Sequence, residues 1–298
     1  MRIGIVVNPV AGGSRGAQVG AEVFSLLSKS EHAISDLSGA TVSEARSKIE
    51  AALAGKAVDA LVFVGGDGIA HLGTNLCAEK NILMAIIPAG TGNDAAAMLG
   101  MPLTNTADSV RLVLEGLSSP KMIDAIKVSH GGKVTWALGS ASAGFDALAA
   151  ARANAISWPK GPMRYYVAML LELAKFKPIK YQSVIDGNPR DFEAMLCVVS
   201  NTGIYGGGML VVPGASVTDG SLDVLLVKKM SRLKFVTIFP RVYKGTHITD
   251  KDVEIFKASK ISIAASGMPI YSDGEYVGQA PFEAEVVPGA LTMVAPAI

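Results

Sequence analysis

The chain is short of charge, of aromatic residues and of cysteine, and it lacks any long hydrophobic run. Each shortage excludes a class of protein. Only 18% of the 298 residues are charged and the formal net charge is +1, so no global field draws nucleic acid or acidic substrates. Two cysteines, Cys77 and Cys197, are too few for a zinc site, and their apolar surroundings read as those of buried free thiols. No uncharged apolar run reaches the ~18 residues of a membrane span. The nearest approach, VTWALGSASAGF at 134–145, is too short and too rich in glycine and serine. The opening MRIGIVVNP is too short and too β-branched for a secretion signal. A cytosolic protein is expected. Also missing are Gly-x-x-x-x-Gly-Lys-Ser/Thr and Gly-x-Gly-x-x-Gly, which weakens the P-loop and dinucleotide-fold readings.

What remains is apolar and glycine-rich: 50% hydrophobic residues and 32 glycines. The length suits one large or two medium domains. Over roughly the first 120 residues, buried-strand runs at 2–8, 58–66 and 82–88 alternate with helix-like stretches at 17–29 and 42–55, the second capped by Thr41 or Ser43. That rhythm predicts a parallel sheet covered on both faces. Beyond about residue 121 the pattern turns β-rich, with a hairpin at Asp186-Gly187-Asn188-Pro189 and one strong helix over 161–175. This half reads as an antiparallel sandwich or barrel. No repeat or low-complexity segment interrupts either half.

In an α/β sheet, ligands bind beyond the carboxyl ends of the strands. Three such ends carry loops of one flavour: NPVAGGSRG (8–16), GGDGIAH (65–71) and PAGTGND (88–94). Their glycines let main-chain N–H groups approach an anion, and Asn8, Thr91 and Asn93 add polar side chains. Asp67 and Asp94 would repel a phosphate. They make sense with Mg²⁺ between, or with one of them accepting a proton from an attacking hydroxyl. One Gly-Gly-Asp-Gly is often only a strand-to-helix turn; three related loops at consecutive strand ends point to phosphoryl transfer.

NPVAGG, GGDGI, IPAGTGNDAAAMLGMP and the late YSDGEYVG resemble the diacylglycerol kinase catalytic family, which includes bacterial soluble lipid kinases and sphingosine kinases and, more distantly, NAD kinases. The resemblance runs through ASAGFDA, NTGIYGGGM, VPGASVTDGSLDVLLV and FEAEVVPGALTMVAP, in the family's order, and covers nearly the whole chain. It implies an NAD-kinase-like α/β nucleotide-binding domain over 1–122 and an antiparallel β-sandwich domain for lipid substrate over 123–298, the C-terminal tail packing back on the first. It implies ATP and Mg²⁺, nucleotide contacts from Asn8, Gly12, Gly65, Gly66, Gly68, Thr91, Gly92 and Asn93, and Ser38 as a ribose or phosphate contact. Asp67 and Asp94 would serve the metal. The general base is either Asp67 or Glu275 of Asp273-Gly274-Glu275. Asp219, with the carbonyls of Ser216 and Ser221, would form a second Mg²⁺ site. A homodimer and peripheral contact with the inner face of the membrane also follow from the resemblance.

One departure bears on activity. Leu72 stands where bacterial members carry Glu, removing a charge expected to orient the metal or a loop. Weak turnover or an unusual substrate would follow. The chemistry also stands on its own terms, because a lipid alcohol needs a positioned carboxylate to take its proton. The rival readings are an NAD kinase, a phosphofructokinase-type small-molecule kinase, and a lipid- or nucleotide-binding protein that has lost turnover.

Two basic stretches, 152–180 and 228–244, interleave Lys and Arg with Trp158, Tyr165, Tyr166 and Phe176. They suit either an anionic membrane surface or solvated helix faces. His71 reads as loop packing rather than a catalyst. Met163, Met169, Met195 and Met209 read as core before acyl pocket.

Overall fold

The computed structural model describes residues 1–158 and 162–298, without the side chains of Pro162, Tyr165 and Tyr166. Lys160 and the two tyrosine side chains of the basic stretch lie outside the described residues. The chain divides into two compact units, Met1–Ile123 with Gly289–Ile298, and Asp124–Pro288.

In the first unit the order is β1 (Arg2–Val7), α1 (Ala11–Leu27), β2 (Ala33–Asp36), α2 (Val42–Ala54), β3 (Ala60–Gly65), α3 (Asp67–Cys77), β4 (Leu83–Pro88), α4 (Asp94–Met98) and α5 (Thr106–Gly116). All strand pairings are parallel, in the order β4-β3-β1-β2. β3 and β4 are buried throughout, which is why they read as unbroken apolar runs rather than alternating ones. Thr41 caps α2, its hydroxyl accepting the Glu44 N–H at 3.2 Å, while the Glu44 carboxylate accepts the Ala40 N–H at 2.9 Å.

The second unit takes in most of β5 (Lys121–His130), then β6 (Lys133–Ala137), β7 (Ser140–Ser142), α6 (Phe145–Ala155), α7 (Pro162–Lys175), β8 (Ile179–Ile185), β9 (Asn188–Pro189) and β10 (Phe192–Ser200). There follow β11 (Ile204–Tyr205), β12 (Met209–Leu210), β13 (Leu222–Lys228), α8 (Arg232–Ile238), two 3-10 turns (Phe239–Lys244 and Thr246–Thr249), β14 (Val253–Ala258), β15 (Lys260–Ala264), β16 (Pro269–Ser272), β17 (Glu275–Gln279) and β18 (Phe282–Met293). Its strands pair antiparallel, with β10 at the centre between β13 on one side and β7 and β8 on the other. One apolar core fills the space between its sheets, around Tyr181, Cys197, Val224, Ile261 and Phe282. A second lies under the helices, where Phe145 meets Phe176 and Phe235 edge-on at 5.1 and 5.0 Å. Both cysteines are buried thiols, burial pushing each up to about 12.

β18 serves both units. Its early residues pair with β15, and Thr292 and Met293 pair in parallel with Leu83 and Met84 of β4. The first unit therefore has a fifth parallel strand, supplied by the end of the chain.

Candidate active site

Four neighbouring strand ends of the first unit open at one edge, and the predicted loops follow them. At the end of β1 the Asn8 N–H donates to Val64 O at 2.9 Å, and its side-chain oxygen accepts the Val10 N–H at 3.3 Å. Gly12, Gly13 and Ser14 then run through left-handed backbone, φ 56, 70 and 81°, before α1 becomes regular. A Cβ on Gly12 would stand 2.4 Å from Ala89 O, so this turn and the loop after β4 approach as only glycine permits. Ser38, past the end of β2, uses its hydroxyl oxygen to accept the Val7 N–H at 2.9 Å. The structure thus brings Ser38 to the end of β1, which its hydroxyl finishes.

The other two loops interlock. Gly66 and Gly90 pass so closely that a Cβ on Gly90 would lie 2.4 Å from Gly66 Cα. Asn93 is buried in left-handed backbone, φ 60°, and clasps Gly90 twice: its Nδ2 donates to Gly90 O at 2.9 Å and its Oδ1 accepts the Gly90 N–H at 2.8 Å. Thr91 and Gly92 are held exposed between them. Asp67 opens α3 and reaches across to the same loop. Its Oδ2 accepts the Asn93 N–H at 2.9 Å and its Oδ1 the Ala95 N–H at 3.1 Å. Sequence reasoning gave Asp67 a metal or proton to hold; the structure adds a positioning role, capping the start of α4 from a different loop. Asp94 is half-buried at the first residue of α4. Two partly exposed carboxylates beside a glycine cradle are the oxygen donors that Mg²⁺ uses together with phosphate, so these residues fit that ion.

His71 lies one turn into α3, its ring Nε2 3.2 Å from Asn75 Nδ2. Leu72, on the same helix, is 7% exposed and faces the core. Leu72 thus brings no charge to the helix that follows the glycine loop. The position is an apolar packing site in this chain.

In the second unit the Asp-Gly-Glu hairpin joins β16 to β17. Asp273, at φ 49°, accepts three successive main-chain N–H groups, from Leu138 at 2.8 Å, Gly139 at 2.8 Å and Ser140 at 2.9 Å. Gly139 is needed there, since its Cβ would lie 3.0 Å from the Asp273 carboxylate. Asp273 anchors the turn, and Glu275, opposite Ser272 at the first position of β17, is displayed to solvent.

At the expected second Mg²⁺ site the Asp219 carboxylate is met by a lysine. Asp219 Oδ1 accepts the Ser221 N–H at 3.0 Å, and its Oδ2 pairs with Lys257 Nζ at 2.8 Å, so both oxygens are engaged by the protein. Ser216 turns its hydroxyl toward Thr218, 3.3 Å between the two oxygens. Among the described residues no three His, Cys, Asp or Glu side chains converge in a metal-binding group.

A feature that sequence reasoning missed lies beneath the helices of this unit. A cavity of about 570 Å³, its open mouth included, is lined by Phe145, Met169, Met209, Phe235 and other apolar side chains, with Asp146, Tyr205 and His247 as its polar members. Asp146 is buried; the Ser142 hydroxyl donates to its Oδ2, as does the Tyr205 hydroxyl at 3.4 Å. Burial pushes its carboxyl above the ordinary range. His247 meets Val211 O through Nε2 at 2.9 Å, and burial lowers it, favouring the neutral ring. Met169 and Met209 belong both to the core and to the cavity wall, whereas Met163 is exposed.

Residues 2–128 match the diacylglycerol kinase catalytic domain, and residues 139–295 match the YegS C-terminal NAD kinase beta sandwich-like domain. The chain belongs to the diacylglycerol kinase catalytic family. It is 32% identical over 296 residues to the diacylglycerol kinase of Mycobacterium tuberculosis, covering 99% of this chain and 95% of that one. To the diacylglycerol kinase of Bacillus subtilis it is 28% identical over 243 residues, 78% of this chain and 76% of the other. A crystal structure of a diacylglycerol kinase from Bacillus anthracis shares the fold, with a TM-score of 0.73 at 22% identity over 99% of this chain and 97% of that one. The chain is thus a kinase of a lipid kinase family.

For a lipid kinase the basic stretches matter, and the structure gives several of their charges acidic partners. The acid-free run 228–244 finds acids elsewhere: Lys228 pairs with Glu254 at 3.0 Å, Lys229 with Glu193 at 3.1 Å, and Lys234 with Asp250 at 2.8 Å and Asp252 at 2.5 Å. Arg152 pairs with Glu172 at 2.5 Å. Leu170 and Leu171 of α7 and Leu233 and Val236 of α8 are exposed. Among the described residues no helix is long and apolar enough to cross a membrane.

Proposed function

We propose that this kinase transfers the terminal phosphoryl group of ATP to the hydroxyl of diacylglycerol or a similar lipid alcohol, with Mg²⁺. The observation that carries the reading is the interlock of the glycine loops through Asp67, which sets a carboxylate between the loops that follow β3 and β4. Phosphoryl transfer asks little covalent chemistry of a protein and much positioning. Gly65, Gly66 and Gly68 accommodate the phosphates, while Asn8, Ser38 and the Thr91–Asn93 segment take the rest of the nucleotide. Asp67 and Asp94 hold Mg²⁺, which when bound neutralises charge on the phosphates. Because main-chain N–H groups already fix both Asp67 oxygens, Asp67 suits the metal. The exposed Glu275 suits the acceptor hydroxyl, whose proton it takes.

The apolar lining of the cavity in the second unit, with Phe145, Met169, Met209 and Phe235 in its wall, supports a lipid acceptor. Exposed leucines on α7 and α8 support transient membrane contact, through apolar insertion more than through net charge. The rival of a binding protein without turnover draws its motive from Leu72, and the retention of Asp67, Asp94 and Glu275 argues against it.

The test is labelled phosphate transfer from ATP and Mg²⁺ to a panel of micellar lipids, with Asp67→Ala as control. A labelled lipid that disappears in the control is the expected result. No labelled lipid, with nucleotide binding intact, would reject the lipid acceptor.

A further inference from the structure

We propose that in this chain the ammonium group of Lys257 takes the place that the family's second Mg²⁺ would occupy, so that the Ser216–Ser221 loop is closed without a metal. Three observations converge on it. Asp223 of β13 and Lys257 of β14 are direct cross-strand partners, so strand register alone fixes the lysine beside the acidic loop. From there Nζ reaches Asp223 at 3.2 Å and Asp219 at 2.8 Å, bridging a carboxylate that is nearly buried and one that is not. The Asp223 side chain is only 7% exposed and requires a compensating charge, which a cross-strand lysine supplies permanently.

The loop is also tied by groups that leave a metal little to do. The Asp124 carboxylate accepts the Gly220 N–H at 2.8 Å, the Asp124 N–H donates to Val217 O at 2.7 Å, and Asp219 holds Ser221. A dication bound to Asp219 would sit roughly 4 Å from the ammonium, and the two like charges would repel each other. The metal requirement of this protein is therefore confined to the nucleotide edge of the first unit. The inference does not depend on which acceptor the kinase uses.

Thermal unfolding and calorimetric titration of the full-length protein with Mg²⁺ alone, without nucleotide, test it. Wild type and Asp219→Asn are expected to give the same Mg²⁺ response, whatever the first unit contributes. Lys257→Met, which keeps the apolar stem, is expected to melt lower than wild type in EDTA at low salt, with a difference that shrinks as salt is added. Two results would overturn the proposal. One is a Mg²⁺-induced rise in Tm of the wild type that is lost in Asp219→Asn but kept in Asp94→Asn. The other is a Lys257→Met protein as stable as wild type. The comparison of wild type with Asp219→Asn decides the question even if Lys257→Met does not fold.

Discussion

Asp67 and Asn93 belong to loops on adjacent strands, and the Asn93 main-chain N–H donates to the Asp67 carboxylate at 2.9 Å. The carboxylate proposed to hold the metal therefore also builds the glycine loop that follows β4. Asp67→Asn keeps the volume but turns one acceptor into a donor facing a donor. Lipid phosphorylation is expected to fall by about 10²–10⁴-fold, the span of a lost acid–base or metal-holding group. Stability should drop by about 1–3 kcal/mol for the unsatisfied N–H. Turnover and Tm measured on one preparation check both; activity lost with an unchanged Tm would remove the positioning role.

The Asp-Gly-Glu hairpin divides labour between its two acids. Glu275→Gln alters an exposed side chain, so the Tm should hold while the maximal rate falls by two or more orders of magnitude. Asp273→Ala strands three N–H groups and should lower stability by about 1–3 kcal/mol, slowing turnover because Glu275 loses its anchor. If Glu275→Gln turns over as fast as wild type, the proton goes elsewhere and Asp67 becomes the base.

Leu72→Glu would restore the family's residue. In this chain it places a carboxylate where a buried leucine packs. The expected outcome is a loss of at least about 1–3 kcal/mol and no gain in turnover. Denaturant unfolding and the lipid assay together measure it, and a faster, equally stable variant would show that the site can admit a charge.

Asp146 gives the fold a pH signature. Its carboxyl is raised by burial, so the contribution of the protonated form is fully present below the unfolded value of ~3.9 and is lost as pH climbs through the folded one. Asp146→Asn mimics the neutral acid at every pH. The Tm of the variant is therefore expected to gain on wild type as pH rises from acid toward neutrality. A constant difference across that range would mean that the carboxyl titrates in the ordinary range.

Much of the catalytic edge was legible because glycine and aspartate stand out at the ends of β-branched runs. The strands expected at 2–8, 58–66 and 82–88 are observed at Arg2–Val7, Ala60–Gly65 and Leu83–Pro88. Long-range partners were not legible. Asp67 finds its donors at Asn93 and Ala95, and Lys257 finds Asp219 through strand register; neither spacing leaves a local signature. β2 has four residues with little buried surface, and α6 carries alanines without a clear apolar stripe, so periodicity marks neither strongly. The cavity was hidden for a related reason. Its lining is gathered from helices, strands and turns, so Met169 and Met209 look like any core methionine until the fold assembles them.

The passage of β18 from one unit to the other sets an order on biosynthesis. The strands β1 to β4 of the sheet that carries the glycine loops leave the ribosome well before the strand that completes it. Until Thr292 and Met293 emerge, β4 presents an unpaired edge built of Leu, Met, Ala and Ile, the kind of surface that invites pairing with another chain. Completion of the sheet in the first unit thus waits on translation of the second unit, and a nascent chain cut short in the second unit carries an unfinished first one.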